Sequence, residues 1–173
     1  MPTTGTEGPR VARVDHFGMS VPDVDAAARF FETWFGATVA FRLPWIEGVE
    51  AVRRLGVEGD AAFTLTMMNL GGGRLELLQW NSPASGGEPP PPDAAGGVHI
   101  AIEVDDVAST VKRLRSAPGV RILSEAMTFA DGPTAGLTNA FLRTPWGGLI
   151  ELVCWDPPTP DEVETTGGGA RVE

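Results

Sequence analysis

The chain is poor in the residues that build redox scaffolds and positively charged surfaces. Among its 173 residues there is a single cysteine, Cys154. One thiol excludes an internal disulfide framework and cannot by itself make a cysteine-based zinc site. Lys112 is the sole lysine, and 23 acidic residues outweigh 13 basic ones for a net charge of −10. Such a field repels nucleic acid unless a basic stripe offsets it. The only basic clusters, Arg53–Arg54 and the KRLR run at 112–115, read instead as exposed helix faces. No apolar run approaches a membrane span, and the opening MPTTGTEGPR lacks the hydrophobic stretch of a signal peptide. Together these features predict a cytoplasmic protein that binds neither nucleic acid nor membrane. Histidine is scarce as well: there are two, His16 and His99.

The chain does contain enough hydrophobic residues, 42%, for an ordinary globular interior, and it repeats itself. HFGMSVPDVDAAARFFETWFGATV, from His16, aligns with HIAIEVDDVASTVKRLRSAPGVRI, from His99. His16 then meets His99, Asp23 meets Asp106, and Gly36 meets Gly119. Each copy reads as a strand, an Asp N-cap, an amphipathic helix, a glycine stop and another strand. Ala27, Phe30, Phe31, Trp34 and Phe35 form a helical stripe that belongs to the core. The later halves repeat too: GGRLELLQW, 72–80, lies over GGLIELVCW, 147–155, so that Glu76 meets Glu151. About eight extra residues in the first copy fall within 43–60, where Val49, Val52 and Leu55 have helical spacing.

This organisation predicts an α+β fold of two tandem βαβββ modules, 11–81 and 98–156. A Pro/Gly-rich linker, 82–97, joins them, and mobile polar tails, 1–10 and 157–173, flank them. In the first module the elements fall near 12–21, 24–35, 37–43, 61–69 and 73–80. In the second they fall near 98–104, 106–117, 119–124, 138–143 and 147–155.

Glu151 sits among Leu149, Ile150, Leu152 and Val153, where an unpartnered carboxylate is expensive. The repeat makes it equivalent to Glu76 and makes the two histidines equivalent. If the modules pack as a pseudo-symmetric pair, a divalent cation held by His16, Glu76, His99 and Glu151 neutralises both carboxylates and keeps both imidazoles neutral.

At these residues the chain resembles the vicinal oxygen chelate superfamily, the group of glyoxalases, bleomycin-resistance proteins and ring-cleaving dioxygenases. The resemblance runs from about 13 to 155. It is carried by DHFGMSVPDVDAAARFFETWFGA, GGVHIAIEVDDV and TPWGGLIELV. It implies that the two modules form a cupped mixed sheet around one divalent metal (Ni, Co, Zn, Mn or Fe), assembled within one chain or across a homodimer. Two imidazoles and two carboxylates are similar to the bacterial glyoxalase I set, while LELLQWNSP and GGVHIAIEVDDV look as much like methylmalonyl-CoA epimerase. A fourth protein ligand argues against the dioxygenase pattern, and an intact set argues against simple antibiotic binding. Those two functions are the alternatives.

The expected activity is proton removal beside a carbonyl in a small-molecule substrate, by a metal-dependent lyase or isomerase that stabilises an enolate or enediolate. Glu151 is the candidate base and Glu76 its symmetric counterpart. The extra carboxylate that an epimerase needs could be Glu47, Glu50, Glu58 or Asp60. Phe63, Leu65 and Met67 share one face of their strand and Thr64, Thr66 and Met68 the other. Either could line the cup, with Phe63 and Met67 as candidate substrate contacts. Trp45 and Trp146 are candidate lids, and residues 125–138 form a loop able to cover a site. Few cations are available for a CoA ester or glutathione adduct, which favours a smaller or less charged substrate.

Overall fold

The computed structural model describes residues 11–48, 53–57, 61–82 and 89–155. The chain divides into two compact units, Met1–Glu88 and Pro89–Glu173.

The first unit opens with strand β1 (Phe17–Ser20) and helix α1 (Val24–Phe35), followed by β2 (Thr38–Glu47), β3 (Ala62–Leu70) and β4 (Gly73–Ser82). Asp23 starts the helix because its carboxylate accepts from the Ala26 amide at 2.8 Å. Gly36 ends it at φ 66°, a left-handed turn that costs glycine nothing. The helix buries Val24, Ala27, Ala28, Phe30 and Phe31, and Trp34 and Phe35 are half-buried at the margin of the stripe. It packs on β3 and β4. Met68, Leu75, Leu77 and Thr66 are fully buried and share the face of β3 and β4 opposite Glu76. The sheet order is β1-β4-β3-β2, with β1 and β4 parallel and the other pairs antiparallel.

The second unit repeats the plan. Strand β5 (His99–Glu103) is followed by helix α2 (Val107–Leu114), then β6 (Arg121–Ile122), β7 (Met127–Thr128), β8 (Leu137–Arg143) and β9 (Leu149–Trp155). The order is β5-β9-β8-β6, β7 also pairs with β8, and β5 and β9 are parallel. Val107, Val111 and Leu114 of α2 are buried, as are Ala140, Leu142, Ile150 and Leu152 of the sheet. The architecture is α+β with two mixed sheets.

Several boundaries differ from the sequence reading. Strand β1 begins at Phe17 rather than near 12. Strand β2 runs on to Glu47 through Pro44 because it is an edge strand, where a missing N–H breaks no ladder bond. A register shift between Leu43 and Ile46 absorbs the proline, and Thr64 Oγ1 donates to the Pro44 carbonyl at 2.9 Å. Helix α2 stops at Leu114, before the expected 117. Strand β6 has two residues because the chain leaves the ladder there, the Leu123 and Ser124 amides both donating to the Phe141 carbonyl. Within 125–138 the expected covering loop contains β7, held to β8 with Thr128 Oγ1 2.7 Å from Thr138 Oγ1. In the 43–60 insertion Leu55 is exposed in a turn. Val49, Val52, Glu50, Glu58, Asp60 and both expected tails lie outside the described residues.

Candidate active site

In the first unit the ladder puts one set of side chains on the face away from α1. Phe63, Leu65 and Met67 of β3 stand opposite Trp80, Leu78 and Glu76 of β4. Phe41, Leu43 and Ile46 of β2 stand beside Met67, Leu65 and Phe63. In β1, Gly18 is in register with Glu76, and Ser20 accepts from Trp80 Nε1 at 3.1 Å. Glu76 is therefore the one carboxylate in an apolar row. It is 21% exposed, and its Oε2 lies 3.8 Å from His16 Nε2.

What surrounds this pair prepares it. His16 Nδ1 is 3.0 Å from Asp15 Oδ2. A carboxylate only accepts, so Nδ1 is the donor in this bond, and in a neutral imidazole the lone pair is then on Nε2. Asp15 also accepts from Arg13 and Arg74. The hydrogen bond from His16, reinforced by the Arg74 and Arg13 guanidiniums, holds the Asp15 carboxyl below the usual aspartate value. On the other side, a Cβ at Gly18 would lie 3.1 Å from Glu76 Oε2. The absent side chain leaves that carboxylate its room.

The second unit places its pair by the same parity. His99, Ala101 and Glu103 of β5 share a face with Leu149, Glu151 and Val153 of β9, and with Arg143, Phe141 and Asn139 of β8. His99 Nε2 lies 3.2 Å from Glu151 Oε2, and the glutamate is 14% exposed. Asn139 Nδ2 donates to Glu151 Oε1 at 2.7 Å, leaving Oε2 toward the imidazole. Phe141 meets the His99 ring edge-on at 6.0 Å. The partners of Glu151 are thus an imidazole and an amide. Cys154 faces the opposite side, its Sγ donating to the Asp105 carbonyl at 3.4 Å, a packing role and not a nucleophile's.

The structure therefore brings His16 to Glu76 and His99 to Glu151. Among the described residues no group of three or more His, Cys, Asp or Glu side chains is arranged to hold a metal ion, so each unit by itself offers two donors. Phe63 and Met67 share the Glu76 face but are buried, Phe63 against Trp80 at 5.1 Å and both in a cluster with Leu65. Trp45 is 55% exposed, and its Nε1 donates to Glu47 Oε2 at 2.7 Å. Trp146 is half-buried in the turn between β8 and β9. Sequence reasoning missed Asp15, Gly18 and Asn139. The DH dipeptide and the glycine two residues after His16 were visible signals; Asn139 has none without the strand register.

A family model for the Glyoxalase/Bleomycin resistance protein/Dioxygenase superfamily matches residues 13–152. The chain is 36% identical over 164 residues to the 2-epi-5-epi-valiolone epimerase of Actinomyces sp, covering 94% of this chain and 90% of that protein. It is 33% identical over 120 residues to human mitochondrial methylmalonyl-CoA epimerase, covering 66% of this chain and 58% of that one. Among solved structures, a glyoxalase family protein from Bacillus cereus superposes with a TM-score of 0.73 at 25% identity, over 87% of this chain and 98% of that one. The chain belongs to the Glyoxalase/Bleomycin resistance protein/Dioxygenase superfamily.

Proposed function

We propose that this member of the superfamily is an isomerase, an epimerase that inverts a carbon next to the carbonyl of a small polyhydroxylated ketone. The observation that carries the reading is one imidazole–carboxylate pair present in both modules of a chain whose relatives bear epimerase names. The small ketone is favoured over a CoA ester by the net charge of −10. The near-complete mutual coverage with the valiolone epimerase favours it too.

Imidazole nitrogen and carboxylate oxygen are donor types that suit a divalent cation, and each unit supplies one of each. In the first pair Asp15 engages Nδ1 of His16, so that Nε2 is the nitrogen turned to Glu76; in the second Asn139 engages Oε1 of Glu151, so that Oε2 is the oxygen turned to His99. Both are the outer supports that orient metal-binding side chains. His16, Glu76, His99 and Glu151 would hold the ion, and a full ligand set needs both pairs. When bound, it supplies Lewis-acid stabilisation of the negative charge that develops on the substrate carbonyl oxygen.

The chain's own residues move the proton. Glu151, with Oε1 fixed by Asn139, takes the α-proton on Oε2. Glu76 is the candidate acid: it starts the turnover protonated and gives that proton to the enolate carbon, so that the two carboxyls exchange protonation states. Inversion requires the proton to arrive on the face opposite the one Glu151 deprotonated. Among the other carboxylates considered, Glu47 lies at the end of β2 opposite Ala62 and is bonded by Trp45. Its neighbour Ile46, opposite Phe63, takes the Glu76 face, and strand alternation turns Glu47 from it.

The test follows solvent deuterium into 2-epi-5-epi-valiolone, into methylmalonyl-CoA and into a 2-oxoaldehyde–thiol adduct, with the metal content of the same sample measured. Exchange into the first, suppressed by Glu151→Gln, is the expected result. Lactoyl-type product from the adduct without exchange into either epimerase substrate would assign a lyase instead.

A further inference from the structure

The Glu151 face of the second unit carries a feature that proton transfer does not use. One row across its sheet reads Arg121, Arg143, Leu149, His99: Arg121 is in register with Arg143, Arg143 with Leu149, and His99 with Leu149. Side chains directly opposite one another on neighbouring antiparallel strands share a face. Ile122 and Leu142, the next pair along, turn to the α2 side, where Leu142 is fully buried. Both guanidinium stems therefore rise from the Glu151 face.

Two like charges directly opposite are destabilising unless something answers them. Arg143 is half-buried, and its Nη1 donates to the Gly147 carbonyl at 2.6 Å, a neutral acceptor. Arg121 is exposed, and among the described residues neither arginine forms an ion pair with a carboxylate. A chain with ten more negative than positive charges has pairing partners in abundance, yet among the described residues this pair has none.

The repeat supplies the control. The same row of the first unit reads Thr38, Asn69, Arg74. There the outer positions are neutral, with Asn69 Nδ2 3.5 Å from Thr38 Oγ1, and Arg74 is neutralised by Asp15. One module has answered its cation internally. The other has doubled it and left it open.

We propose that Arg121 and Arg143 form an oxyanion subsite that binds a phosphate or carboxylate group carried by the ketone substrate. The identity of the ligand as a ketone rests on the epimerase reading; the subsite does not. Guanidinium groups match such oxyanions with paired, charge-assisted hydrogen bonds. Arg143 stands diagonally from Glu151 across β8 and β9, a spacing of about 7–8 Å between such positions, which suits a six-carbon ring with its reacting carbon at one side and its anionic substituent at the other.

The experiment titrates inorganic phosphate and acetate into the purified full-length chain by calorimetry, and into Arg121→Ser and Arg143→Lys. In parallel, deuterium exchange is compared for 2-epi-5-epi-valiolone, its phosphate monoester and a ring-carboxylate analogue. We expect oxyanion binding that weakens roughly tenfold or more in Arg121→Ser, and a KM for the matching anionic ketone that rises by a similar factor while the neutral ketone is unaffected. Phosphate binding without acetate binding identifies a phosphate ester; the reverse identifies a carboxylate. Binding of neither anion to the parent chain, or equal binding to Arg121→Ser with circular dichroism unchanged, overturns the subsite. Arginine-dependent anion binding with no exchange into any ketone would retain the subsite and discard the epimerase.

Discussion

The α-carbon of Gly18 is in register with that of Glu76, and a methyl group at Gly18 would stand 3.1 Å from Glu76 Oε2. The corresponding neighbour of Glu151 is Ala101, whose methyl is accommodated. The two carboxylates therefore sit in differently shaped places although the repeat equates them. Gly18→Ala should displace the Glu76 carboxylate by a few tenths of an ångström. Since about 1 Å of misplacement costs around a hundredfold in rate, we expect a loss of roughly three- to tenfold in exchange rate with an unchanged melting temperature. Gly18→Val should be far worse. Single-turnover exchange alongside calorimetry checks both.

Asn139 is the amide that holds Glu151 Oε1. Asn139→Ala removes a hydrogen bond to a charged group, worth about 1.5–3 kcal/mol. It should slow α-proton exchange by about ten- to a hundredfold. Asn139→Asp places a second carboxylate against the first, so its activity should recover only as pH falls. The pH–rate profile of the two variants distinguishes these outcomes.

Asp15 secures the tautomer of His16. Outer partners of this kind are worth about ten- to a hundredfold in metal affinity, so on the proposed role of His16 as a ligand Asp15→Ala should weaken metal binding by that factor and leave the fold intact. Competition with a chromophoric chelator measures it. Asp15→Glu should recover little, because the longer side chain must also satisfy Arg13 and Arg74.

Neighbouring residues on β9 should fail in opposite ways. Leu152 is fully buried on the α2 side and Glu151 lies on the other. Leu152→Ala should cost about 2–5 kcal/mol of stability through the cavity it leaves, while the fraction that remains folded stays active. Glu151→Gln should keep the stability and lose exchange by roughly a hundred- to ten-thousandfold. Urea titration and exchange assays on the same two samples separate the roles.

Asp106 caps α2, its carboxylate accepting from the Ser109 amide at 3.0 Å and from the Ser109 hydroxyl at 2.8 Å. Those bonds, the backbone one first, depress its pKa below the usual aspartate value. A depressed carboxylate stabilises the folded state at all pH values above its unfolded pKa and stops doing so as pH falls through the folded one. Asp106→Ala should therefore melt lower than the parent chain at neutral pH, with the difference closing in the acidic range below the ordinary aspartate pKa. Asp106→Asn should keep most of the cap and lose the pH dependence.

The sequence was informative where a pattern is local or duplicated. The α1 stripe, the two aspartate caps and the Gly36 stop are each set by a few adjacent residues, and all are found. The repeat singled out His16, Glu76, His99 and Glu151 by equating members of each type; that each histidine lies beside the glutamate of its own module depends on which strands pair, which the repeat does not record. Strand limits were less legible. The second element was expected to end near 43, and the edge position of β2 explains how it continues through Pro44. Asn139 and the Arg121–Arg143 row were invisible because cross-strand neighbours depend on register, which no single segment records.

In both modules the histidine precedes the first strand or opens it, the glutamate sits in the last, and these two strands run parallel side by side. Between the partners lies nearly the whole module, so the imidazole and carboxylate meet only when its most distant segments join. On a chain emerging from the ribosome, His16 and Glu76 therefore stay apart until β4 has emerged and docked, and His99 and Glu151 until β9 has.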